Sequence, residues 1–167
     1  MNLRWILTTL LSCSSLVAAA ATPVRPTAAT VERELTATYF HWFPEMATYY
    51  SVDPAVTGPG SNTRLSPRTQ ADEIAKRAAF KRILARFGEV DVAGLSQSEH
   101  VFHAALEATL RGSLAPAEVV DYGTVFSAWG MWFMPYAVSQ IGGPQDLVTK
   151  LLDSQQPVRN AAEAEDY

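Results

Sequence analysis

The stretch SEHVFHAALE, residues 98–107, holds His100 and His103, two of the three histidines of this chain, with Glu107 four residues beyond the second. Imidazole and carboxylate are zinc ligands, and His41 could bring a third nitrogen. The spacing argues against that chemistry. Two histidines that bind one metal from a single helix usually stand four apart, as in H-E-x-x-H. Here they are three apart, in the order Glu-His-x-x-His, and a permanent cation, Arg111, falls in the same patch. On a helical wheel Val101, Phe102, Ala105, Leu106 and Ala108 form one broad apolar face, and His100, His103, Glu107 and Arg111 the opposite one. The expectation is a solvated polar face, with His103–Glu107 and Glu107–Arg111 as supporting i,i+4 pairs.

His41 and Glu45, in HWFPE, are also four apart. Pro44 between them distorts the helical geometry a ligand pair would need, so they read as a surface pair beside an aromatic core. Arg64, Arg68, Lys76, Arg77, Lys81, Arg82 and Arg86 are seven of the chain's 13 basic residues. A basic helix can meet an anionic partner or a membrane surface. No exposed aromatic residues interleave with these cations for stacking, so a solvated face whose long stems cover apolar neighbours is the preferred reading. VFSAWGMWFMPYAV, residues 125–138, carries no charge. It is too short to span a bilayer. It reads as core, as the lining of an apolar cleft through Trp129, Trp132, Phe133, Met134 and Tyr136, or as an interface. The chain holds no nucleophile elbow, phosphate loop, dinucleotide fingerprint or EF-hand. No residue is therefore assigned as catalytic, cofactor-binding or metal-ligating.

These residues belong to a chain of 167, enough for one domain with a real core. A net charge of −4 and an isoelectric point near 5.3 give no electrostatic case for nucleic acid. With 48% hydrophobic and 18% charged residues the composition is globular. Residues 1–21, MNLRWILTTLLSCSSLVAAAA, have a positive start, an apolar middle and small residues for cleavage after Ala20 or Ala21, which is the pattern of a secretory signal. The expectation is an exported protein, periplasmic or secreted. Leu10-Leu11-Ser12-Cys13 also fits a lipobox, in which case Cys13 would carry a lipid and membrane attachment would follow. Cys13 is the single cysteine, so there is no intrachain disulfide and no cysteine-based zinc site.

Residues 22–30 read as a flexible lead-in and 31–167 as a helical domain, so the fold class is all-α. Val31, Leu35, Tyr39, Trp42, Phe43 and Met46 recur at helical spacing from about Ala28 to Tyr50, with Pro44 forcing a kink or restart. Residues 53–67, rich in Gly, Pro, Ser and Asn, form a loop. Ser66 and Pro67 are expected to cap and open a helix that Gly88 ends, with Phe80, Ile83, Leu84 and Phe87 as its apolar stripe. Ser96 and Glu99 form a capping box for a helix Gln97–Arg111 that Gly112 stops. Residues 116–134 read as helical, with a strand over 124–128 as an alternative. Gly142-Gly143-Pro144 opens a helix to about Leu152, broken by Gln155-Gln156-Pro157, and Asn160 caps the start of another. That last helix begins without delivering an apolar face, which leads to the expectation that the domain is incomplete at its C-terminus.

The order of landmarks carries a resemblance. FPEMATYYSVDP follows the first helix; then come ADEIAKRAAFKRILARFGEVDVAGLSQSE, MPYAVSQIGGPQDLVTKLL and PVRNAAEAEDY. From about Val31 to Tyr167 the chain resembles the N-terminal part of the bacterial family called domain of unknown function eight-eight-five. The resemblance implies export, an irregular array of helices forming the first portion of a larger zinc-metallopeptidase-like fold, and a peptide or other small substrate for the whole enzyme. It also implies that zinc is held by a His-Glu pair followed by Pro-Gly-His in a later half. This chain has no His-Glu pair, so no family ligand or catalytic residue carries over and no cofactor is expected here. The functional expectation is an exported N-terminal part of a hydrolase, inactive by itself. The alternative is a stand-alone exported helical binding or scaffold module that uses residues 125–138.

Overall fold

The computed structural model describes residues 25–57, 60, 63–119, 144–156 and 158–165, and every regular element among them is helical. Residues 1–21, expected to be a signal, with Cys13 among them, and the aromatic run 125–138 lie outside the described residues. Helix α1 is Ala28–Trp42, begun by Thr27, whose hydroxyl accepts from the Thr30 N–H. It thus starts inside the stretch read as a lead-in. Phe43 breaks it and Pro44, at the first position, opens α2, Pro44–Tyr49, as expected of a proline whose ring cannot continue α1. The end of α2 is a Schellman turn: Val52 N–H donates to Ala47 O at 2.9 Å and Ser51 N–H to Thr48 O at 3.0 Å. Ser51 takes the left-handed conformation this requires, at φ 52°. A short α3, Pro54–Thr57, follows.

Helix α4 is Gln70–Phe87. The cap is Thr69, not Ser66, because Thr69 and Asp72 make a reciprocal capping box that Ser66 and Pro67 cannot offer. Ser66 is engaged elsewhere, donating to Glu45 from its amide at 2.9 Å and from its hydroxyl. Gly88 does end the helix. Helix α5 is Gln97–Leu114, started by the expected box of Ser96 and Glu99. It runs through Gly112, where a Cβ would meet nothing within 4 Å, because Ser113 and Leu114 are buried and packing outweighs one residue's helix propensity. A 3-10 turn, Ala115–Glu118, closes it. Helices α6, Pro144–Ser154, and α7, Ala161–Glu165, stand near where proline and the Asn160 cap place them; Asn160 Oδ1 accepts from Glu163 N–H at 3.0 Å.

Helix α4 is the central element, packed by α1 and by α5, while α6 reaches α2. The core joins Val31 and Leu35 of α1, Phe43, Met46 of α2, Phe80, Ile83 and Phe87 of α4, and Leu110 and Leu114 of α5. Phe80, Ile83 and Phe87 form the anticipated stripe, with Leu84 packed at its side. Arg86 forks onto Glu34 at 2.9 and 3.1 Å and ties α4 to α1 at the surface.

Candidate functional site

The face of α5 that meets α4 is not the one the wheel selects. Val101 and Phe102 are 61% and 55% exposed, whereas His103 is buried. The buried line runs through His103, Leu110 and Leu114, with Leu106 partly covered beside it. The signal was present in Leu106, Leu110 and Leu114, spaced four apart with His103 one turn before them. A wheel ended at Arg111 leaves out Leu114 and so weights the wrong face. His103 lies against the Phe87 ring at 4.7 Å, with Nε2 3.4 Å from the Phe87 carbonyl oxygen, and its Nδ1 has no partner. His100 is exposed, and Glu107 pairs with Arg111 at 2.6 Å as expected, not with His103. The histidines thus point to different environments. Among the described residues no three metal-ligating side chains converge.

Glu45 is the second correction. It is buried, not on the surface, because it accepts both hydrogen bonds from Ser66 across the loop, while His41 stays exposed and packs edge-on to Trp42. Lys76 is the third. It sits on the supposedly solvated basic face of α4, yet its side chain has no exposed surface. Its ammonium donates to Glu73 at 2.7 Å and lies 4.9 Å from the Phe43 ring centre. Burial pulls its pKa down, and the hydrogen bond to Glu73 opposes that shift. Two other cations on this helix have acidic partners: Lys81 pairs with Glu118, and Arg86 with Glu34 of α1 and with Glu89 one turn on.

What the fold leaves open is a groove of about 650 Å³ between α1 and α5. Its walls are apolar: Leu35, Tyr39 and Phe40 of α1, Phe102 and Leu106 of α5, and Tyr50 from the end of α2. Tyr50 is set there by the Schellman turn that follows α2. Tyr39 packs on Phe40 and Phe43 with centroids 5.4 and 5.1 Å away, and burial pushes its phenol well above the usual range. Glu32 and Arg33 lie at the end where α1 begins. Val101 and Ala105 continue the apolar surface beyond Phe102. Volume and lining are those of a small-molecule site. Sequence reasoning missed it because the groove needs Phe102 on the outside of α5. None of the described helices is long and apolar enough to cross a membrane.

Comparison with known proteins finds no match to this chain among protein-family models, curated proteins or solved structures.

Proposed function

We propose that this chain is the exported N-terminal helical part of a metallopeptidase-like hydrolase, supplying a wall of the substrate cleft rather than the reacting groups. The observation that carries this reading is the α1–α5 groove, an apolar concavity lined by Leu35, Tyr39, Phe40, Phe102 and Leu106. The order of sequence landmarks from Val31 to Tyr167 supports the family assignment, and the leader at residues 1–21 supports export, by cleavage or by lipidation at Cys13. Zinc would then be bound by a later part of the enzyme.

The test is to read the source DNA for several hundred codons beyond 167, and to assay the present chain and any longer product on a peptide library with and without chelator. The expected result is a frame encoding His-Glu and Pro-Gly-His, chelator-sensitive cleavage by the long product, and none by the 167 residues alone. Cleavage by the short chain, or a stop codon at 168, overturns the reading. The second reading, a stand-alone exported binding module, is favoured by α1, α5 and Tyr50 after α2 lining one apolar groove. It would then use this groove in addition to residues 125–138.

A further inference from the structure

The groove has a direction. From Ala29 to Phe40 its α1 wall is about 16 Å long at ~1.5 Å rise per residue. The charged residues, Glu32 and Arg33, are at one end, and Tyr39, Phe40 and Tyr50 are at the other. Between them the lining, among the described residues, is apolar apart from Thr36, whose hydroxyl is spent on the Glu32 carbonyl at 2.9 Å. Among the described residues neither Glu32 nor Arg33 joins an ion pair, although Glu34, Arg86, Lys81, Glu107 and Arg111 nearby in the fold all do. Arg33 donates through Nε to the Ala29 carbonyl at 3.2 Å, which steadies the guanidinium and leaves both Nη groups available. An elongated apolar trough with one charged end fits a chain-like molecule better than a compact ring. The two opposite charges at that end disfavour a head of a single sign: a lone anion would meet Glu32, and a lone cation Arg33.

We infer that the groove binds a zwitterionic single-chain amphiphile. Its acidic head oxygens pair with the Arg33 Nη groups, its ammonium lies by Glu32, and its acyl chain runs along Leu35 and Phe40 under Phe102. The inference rests on one part of the proposed function, that the groove faces ligand, and not on any catalytic part. Peptide-cleavage assays and amphiphile titrations therefore fail independently.

The test is calorimetric titration of the full chain with dodecylphosphocholine below its micelle concentration, beside dodecyl maltoside and dodecanoate under the same condition. Saturable one-to-one binding of dodecylphosphocholine, about tenfold tighter than either of the others, is expected from the hydrogen bonds its phosphate accepts from Arg33 and the Coulomb attraction of its quaternary ammonium to Glu32. Arg33→Gln and Glu32→Gln should each weaken it about tenfold while leaving dodecyl maltoside unchanged, and Phe102→Ser should weaken all three. Arg33 and Phe102 are exposed and Glu32 is half-buried at the rim, so circular dichroism and Tm should match the parent chain and separate lost binding from lost folding. Equal binding of the three amphiphiles, undiminished binding by folded Arg33→Gln, or no binding at all would overturn the inference.

Discussion

Lys76 enters the core because three things meet there: Glu73 one turn earlier on α4, the Phe43 ring released by the break before Pro44, and the buried carboxylate of Glu45 near enough to stabilise its charge. Removing the cation alone strands Glu73, whose Oε2 already lacks a partner. Lys76→Met should therefore cost about 3–5 kcal/mol in urea unfolding, and the double variant Lys76→Met with Glu73→Leu should recover more than half of it. A loss of under 1 kcal/mol would show that the pair adds nothing. The pH dependence has a definite sign. The folded-state pKa of Lys76 lies below its ordinary 10.5, so across that window the folded chain binds fewer protons than the unfolded one. This group's contribution to stability therefore rises with pH toward 10.5, and Lys76→Met should remove that upward slope. Tyr39 acts oppositely above its ordinary 10.0, since its folded pKa is raised, so the slope is measured below that value. The burial of Lys76 was not legible in the sequence: a lysine at helical spacing from other cations looks solvated until its neighbours in space are known.

At the scale of elements, α4 and α5 begin in the same way. Asp72 takes the amide and hydroxyl of Thr69, and Glu99 those of Ser96, and these hydrogen bonds hold both carboxyls below their ordinary 3.8 and 4.5. Depressed carboxyl values contribute stability that is present above the ordinary values and lost as pH falls through the folded ones. Glu34, lowered mainly by its hydrogen bond with Arg86, titrates in the same direction. The acid limb of the unfolding curve, followed by circular dichroism, should thus steepen below about pH 4.5, and the pair Asp72→Asn and Glu99→Gln should flatten it. An unchanged limb would mean that the boxes do not persist in solution. Both boxes were spelled out locally, but the α5 box was read and the α4 box overlooked in favour of Ser66-Pro67. Ser66 spends its hydroxyl on Glu45, 21 positions away, and no local rule exposes that competition.

For the whole molecule the decisive event is the rotation of α5. Placing His103, Leu110 and Leu114 in the core puts Phe102 over the groove and leaves Val101 exposed beside it. Leu110, with no exposed surface, should cost about 2–5 kcal/mol when cut to Ala. Phe102→Ser should change stability by no more than about 0.5 kcal/mol despite removing a phenyl ring. Thermal denaturation of the two variants checks the orientation directly, because the wheel drawn from residues 97–111 alone predicts the reverse order.

Sequence by itself determined what depends on neighbours along the chain. Helical spacing set the all-α class; Ser96, Asn160, Pro44, Gly88 and Pro144 marked starts and stops; Phe80, Ile83 and Phe87 marked the stripe of α4. Tertiary structure alone decided which side of α5 is inside, that Glu45, Lys76 and His103 are buried, and that α1 and α5 leave a groove with a charged end. The reason is physical. Capping and periodicity act over one or two turns, whereas the burial of a polar side chain depends on partners such as Ser66, Phe43 and Phe87, which the chain brings near only when α4 is packed on both sides.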